Sequence, residues 1–111
     1  MAGAALPPIA DGPLFIVPRM IDALRAYRAA PKALAGPDAA RLRAEIDGLT
    51  ERLLAGVEQH PTRFWVLTQL RKTLDALASV EPAARQQART ELGKLMDILG
   101  IANADVALGF T

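Results

Sequence analysis

The clearest signal in the chain is a stripe of large apolar residues at Leu42, Ile46, Leu49, Leu53 and Val57, separated by steps of four, three, four and four. Those steps keep the five side chains on one side of an α-helix, whereas a strand would alternate them between two faces. Arg41, Arg43, Asp47, Glu51 and Glu58 fall away from the stripe, so the pattern predicts an amphipathic helix over residues 38–59. Asp38 stands where an N-cap is expected, worth about 1 kcal/mol over alanine. His60-Pro61 closes the segment.

The same periodicity predicts three further helices. Met20, Ile21, Leu24 and Tyr27 share a face within 19–30, a segment entered at Pro18 and ended by Pro31. Leu67, Leu70, Leu74 and Leu77, widened by Val66, make a seam within 63–79, with Thr62 as its N-cap. Ala84, Ala88, Leu92, Leu95 and Leu99 form the core face of 82–99, and the small first half of that face admits a close neighbour. Gly100 falls where a left-handed residue would end the helix, with Met96 and Ile101 spaced for the hydrophobic contact of a Schellman motif. Gly36-Pro37 punctuates the first connection. Short connections between the last three helices favour antiparallel neighbours, which predicts an all-α bundle of about four helices.

The two ends of the chain read differently. Residues 1–18 contain four of the eight prolines, Pro7, Pro8, Pro13 and Pro18, which denies a helix there. The run Leu14-Phe15-Ile16-Val17 lacks a partner strand, so an extended arm laid on the helices is expected. Residues 100–111 read as a tail, with a turn at 103–105 and alternating Val106, Leu108 and Phe110 that would fold back over the core. The 111 residues suit one domain.

Composition narrows the function classes. There is no cysteine, which excludes disulfides, thiolate metal sites and cysteine nucleophiles but does not fix the compartment. Thirteen Lys and Arg stand against twelve Asp and Glu, with the signs interspersed. The basic pairs Arg41/Arg43, Arg71/Lys72 and Arg85/Arg89 each have an acid nearby in Glu45, Asp75 or Glu91, so no basic stripe for nucleic acid is expected. No apolar run approaches the ~20 residues of a membrane span. Nor does the N-terminus, acidic at Asp11 and without Lys or Arg before Arg19, read as a signal peptide; the cytoplasm is the expected compartment, with the periplasm the alternative if a signal has been removed.

Four residues stand out as candidate contacts for a partner or ligand. His60, the one histidine, continues the phase of the 38–59 stripe; it reads either as a proton carrier or ligand, or as a helix-end cation near the terminal carbonyls. Trp65 lies opposite the leucine seam and reads either as an exposed binding anchor or as a ring covered by the arm or the tail. Tyr27 is expected at the core edge with its hydroxyl in water, and Arg43 on the polar side of its helix. Gly48, Gly56 and Gly93 interrupt predicted helices, and Gly56, which borders the stripe, is expected to serve packing. No carboxylates pair within an apolar face, and no phosphate loop or nucleophile elbow is present, so no catalytic residue, metal site or cofactor is expected.

Two stretches resemble known families. The segment from Leu42 to Leu54, with Arg43 near its start, resembles the first helix of the all-helical chorismate mutases, where an arginine holds the matching place. That family's helix goes on to a second arginine and a lysine. Here the second arginine is absent, and Arg71 falls at the lysine's spacing beyond His60-Pro61. Residues 61–111, with Glu91-Leu92-Gly93-Lys94-Leu95-Met96-Asp97-Ile98-Leu99-Gly100-Ile101 and the ending Gly109-Phe110, are similar to a small bacterial family of domains of unknown function, the one numbered four-eight-four-four. The family's pattern before its terminal glycine is replaced here by Asp105-Val106-Ala107-Leu108. This second resemblance implies a helical bundle with no known activity or cofactor.

The expectation is therefore a non-enzymatic helical module of bacterial origin that binds another protein or itself. The alternative is a small-molecule binder or chorismate-mutase-like enzyme, with a pocket between helices lined by His60, Arg43 or Tyr27.

Overall fold

A computed structural model describes residues 14–101. It contains four helices, α1 (Pro18–Ala29), α2 (Ala39–Gly56), α3 (Arg63–Ala76) and α4 (Pro82–Leu99). No β-strand occurs among the described residues. The fold is all-α, as the 3.6-residue periodicity of the apolar positions dictates.

The core divides into two clusters along the helices. Leu42 and Ile46 of α2 meet Ala84 and Ala88 of α4, together with Leu77 and Val80. Farther along, Leu49, Leu53 and Val57 of α2 meet Leu92, Leu95, Met96 and Leu99 of α4, Ile21 and Leu24 of α1, and Val66 and Leu70 of α3. The N-terminal halves of α2 and α4 thus share one cluster and their C-terminal halves the other, so these helices run in the same direction. Because α1 and α3 begin at the second cluster and end near the first, the bundle runs up-down-up-down. Every large side chain of the α2 stripe is fully buried, each worth about 1.5–3 kcal/mol over exposure. α2 packs on all three other helices, and α1 also packs on α4.

Helix ends show where local chemistry agreed with the pattern. The Trp65 amide donates to Thr62 Oγ1 at 3.1 Å, the expected N-cap of α3. At the end of α4, Gly100 is left-handed at φ 71°. There the Ile101 amide donates to the Met96 carbonyl at 3.0 Å and the Gly100 amide to that of Asp97 at 3.2 Å. Both bonds of a Schellman motif are present, and Met96 and Ile101 are buried in the same cluster.

Other expectations are corrected. Asp38 holds the N-cap position of α2, but its side chain makes no capping bond. α2 ends at Gly56 instead of residue 59, and beyond it the chain tightens into a turn in which the Gln59 amide donates to the Gly56 carbonyl at 3.1 Å, three residues back. α3 stops at Ala76, three residues before its expected end. Its carbonyl there accepts from Arg41 Nη2 at 2.6 Å. The buried face of α3 includes Gln69 and Thr73, while Leu74 is only half-buried. Arg52 of α2 accounts for this rotation, since its guanidinium donates to the Gln69 side chain and carbonyl and to Thr73 Oγ1. Residues 14–17 form the described part of the arm, and the Leu14 amide donates to the Pro61 carbonyl at 2.8 Å. The remainder of the expected arm, residues 1–13, and the tail from residue 102, with its turn and its alternating apolar residues, lie outside the described residues.

Candidate functional site

The up-down order sends the four candidate residues to opposite ends of the bundle. Tyr27, near the C-terminus of α1, and Arg43, in the second turn of α2, lie at one end. His60 and Trp65 lie at the other, around the turn between α2 and α3. From Arg43 to Gly56 the helix advances about 20 Å, so these residues do not line one pocket.

The Tyr27 end carries a buried polar cluster. Lys32, whose side chain is only 3% exposed, places Nζ 3.3 Å from Asp47 Oδ1. Its Nζ donates to the carbonyls of Tyr27 at 2.9 Å and Ala30 at 3.3 Å, at the end of α1 where the Tyr27 carbonyl also accepts from the Ala30 amide at 3.3 Å. Three acceptors thus surround the three donors of the ammonium, and the charge also sits 4.4 Å above the Tyr27 ring. The Asp47 contact lacks the directed geometry of a hydrogen bond, and Oδ1 has no hydrogen-bond donor. The Tyr27 hydroxyl is not in water, contrary to expectation: it donates to Glu91 Oε1 at 2.6 Å.

Electrostatics fixes the protonation of this cluster. Burial alone would raise the Glu91 carboxyl. Hydrogen bonds from Lys94 and Tyr27, with the charges of Lys94 and Lys32, outweigh burial and hold it below the ordinary glutamate range. The Tyr27 phenol is pushed far above its ordinary range, first by burial, then by its bond to Glu91 and the negative charges of Glu91 and Asp47. Tyr27 is therefore a protonated donor and Glu91 an ionised acceptor at neutral pH. Arg43 joins the same end, with Nη2 donating to the Lys32 carbonyl at 3.2 Å. The Gln87 amide accepts from the Ala35 amide at 2.8 Å and donates to the Ala35 carbonyl at 2.9 Å. Apart from Asp47 Oδ1, which has the Lys32 charge but no hydrogen bond, these groups engage one another and tie the α1–α2 connection to α2 and α4.

At the opposite end Trp65 is half-buried, and the cause lies in α2. A Cβ on Gly56 would come within 2.6 Å of Trp65 Cζ2 and 2.8 Å of Cη2. The glycine leaves the notch that the indole fills, as its expected packing role requires. Gly48 and Gly93 have no such role, for a Cβ would meet only Arg52 at 3.8 Å at the first and nothing within 4 Å at the second. His60 is exposed beyond the helix end and not on the apolar stripe. Its ring stacks on Trp65 with centroids 5.4 Å apart and planes 19° apart.

The same end holds an open groove of about 870 Å³ between residues 14–17, the start of α1 and the end of α4. Its apolar lining includes Leu14, Phe15, Val17, Met20, Ala23 and Ile98. Arg19, Arg63 and Asp97 add charge to it. Phe15 is 87% exposed and Val17 39%, and on α3 Phe64 is 60% exposed. A large apolar side chain left in water at this level forgoes about 1.5–3 kcal/mol of burial. None of His60, Arg43 and Tyr27 lines this groove.

Sequence reasoning missed Glu91, Lys32 and Phe15. Glu91 was within reach, since it lies three residues after Ala88 and four before Leu95 on the apolar face of α4. Thr50 and Thr73 occupy such polar places in core phase on α2 and α3, and both are buried. Lys32 follows Pro31 in a connection with no periodicity to reveal burial. Among the described residues, no helix is long and apolar enough to cross a membrane. No group of three or more His, Asp or Glu among them is placed to hold a metal ion. Comparison with protein-family models, curated proteins and solved structures gives no match.

Proposed function

We propose that this chain is a non-enzymatic helical module that binds protein through the face holding the groove between residues 14–17, α1 and α4. The observation that carries the reading is Phe15, an aromatic side chain 87% exposed at the edge of an open groove that apolar and charged residues line together. Aromatic residues that bury a large area at little entropic cost dominate protein interfaces. The polar cluster at the other end supports the same reading from the opposite direction. Lys32, Tyr27, Asp47 and Glu91 are engaged with one another or with backbone carbonyls, which suits a structural latch and not a reacting centre.

The test is affinity capture with the native chain and with Phe15→Asp as baits. A protein retained by the first and lost by the second supports the reading. Capture indifferent to Phe15 removes it. Trp65→Ala is a poor control, because loss of the indole empties the Gly56 notch and disturbs the fold itself.

A further inference from the structure

We infer that the partner at this face is a second copy of the chain, related by a two-fold axis, with Phe15 of each copy seated in the groove of the other and Arg19 of each paired with Asp97 of the other. The inference rests on the groove being the interaction surface. Two observations give it direction.

The face is self-complementary in shape. It carries both a projecting ring, Phe15, and a hollow of about 870 Å³. A two-fold contact brings one patch against itself, so that patch must supply both projection and recess.

Arg63 also lines the groove but is already engaged by another group of the chain. The two remaining charges of the face are complementary to one another, and both oppose their own helices. Arg19 is a cation in the first turn of α1, at the positive end of the helix dipole, and that turn has no acid. Asp97 is an anion in the last turn of α4, at the negative end, and that turn has no base. Both line the groove, and neither forms an ion pair among the described residues. A partner of one sign would repel one of them, and an uncharged apolar partner would desolvate both without compensation. A second copy in two-fold register pairs each of these charges once, giving two Arg19–Asp97 contacts across the axis.

Sedimentation velocity on the full chain tests this. The native chain is expected to dimerise with rising concentration. Arg19→Glu alone and Asp97→Arg alone should each weaken the dimer about tenfold or more, since either change creates two like-charge contacts. An equimolar mixture of the two variants should form a heterodimer of near-native affinity, because both contacts then carry opposite charges. Thermal melts of the isolated variants should be unchanged or raised, since each reversal suits its own helix dipole. The inference is overturned by a native chain that stays monomeric, by a dimer indifferent to both reversals, or by a mixture that associates no better than its components. A monomer that still captures a different protein in a Phe15-dependent way overturns the second copy and leaves the groove reading standing. A monomer without such capture overturns both.

Discussion

The Tyr27 hydroxyl donates to Glu91 Oε1 at 2.6 Å, joining α1 to α4 across 64 residues of sequence. Burial of Glu91, only 6% exposed as a residue, makes the bond matter, because a buried acceptor that loses its donor cannot turn to water. Tyr27→Phe should destabilise the fold by about 1–3 kcal/mol, the range for orphaning a partner of a charged acceptor. Glu91→Gln should be milder than Glu91→Ala, which also opens a cavity. Urea unfolding followed by circular dichroism measures all three.

The same pair sets a pH profile. Because the folded Glu91 carboxyl lies below its ordinary value of 4.5, its contribution is present above that value and is lost as pH falls through the folded value. Because the folded Tyr27 phenol lies above its ordinary value of 10.0, its contribution is present below pH 10 and is lost as pH rises beyond it. Stability should therefore fall at both extremes. In Glu91→Gln the acid limb should flatten, and in Tyr27→Phe the alkaline limb should. Urea midpoints at a series of pH values check this, and limbs identical to the native protein's would refute the assignment.

Gly56 and Gly93 make opposite predictions for one substitution. In an exposed helical position glycine to alanine stabilises by about 1 kcal/mol. Gly93→Ala meets nothing within 4 Å and should gain most of that. Gly56→Ala places a methyl at 2.6 Å from the indole and should lose stability despite the better helix propensity. The displaced Trp65 should show red-shifted fluorescence. Paired thermal melts and emission spectra decide the matter.

Lys32 gives the α1–α2 connection its fixed course. Lys32→Met keeps the stem but leaves Asp47 and the last carbonyls of α1 without the ammonium. Asp47 keeps Arg28 Nη1 at 3.5 Å, so a loss of about 1–3 kcal/mol is expected, chiefly from the carbonyls left without their donor. Hydrogen exchange should rise first at residues 30–37. Asp47→Asn should recover part of the loss in the Lys32→Met background, because the remaining charge is then removed.

Much of the fold was legible because it depends on period and on end chemistry. The α2 stripe, the Thr62 cap and the Gly100 stop each follow from local physics, and the bounds of α4 agree with the sequence reading. His60 was misplaced because phase continues on paper past the point where the backbone turns at Gly56. The functional face was less legible for a further reason. Leu14 to Val17 shows no period that assigns sides, and only the tertiary arrangement reveals that Leu14 and Ile16 pack on the core while Phe15 faces outward. Arg19 and Asp97 are 78 positions apart in the sequence, and nothing local marks them as neighbours of one groove.

The most direct test of the central claim, that the Phe15 face is the binding surface, is photocrosslinking from position 15. A photoreactive phenylalanine analogue replaces Phe15 in one protein and Arg85, exposed in the first turn of α4 at the end of that helix away from the groove, in another. The account predicts intermolecular adducts from position 15, with a second copy of the chain as the main product, and none from position 85. Adducts confined to the chain's own residues, or equal yields from both positions, would contradict it.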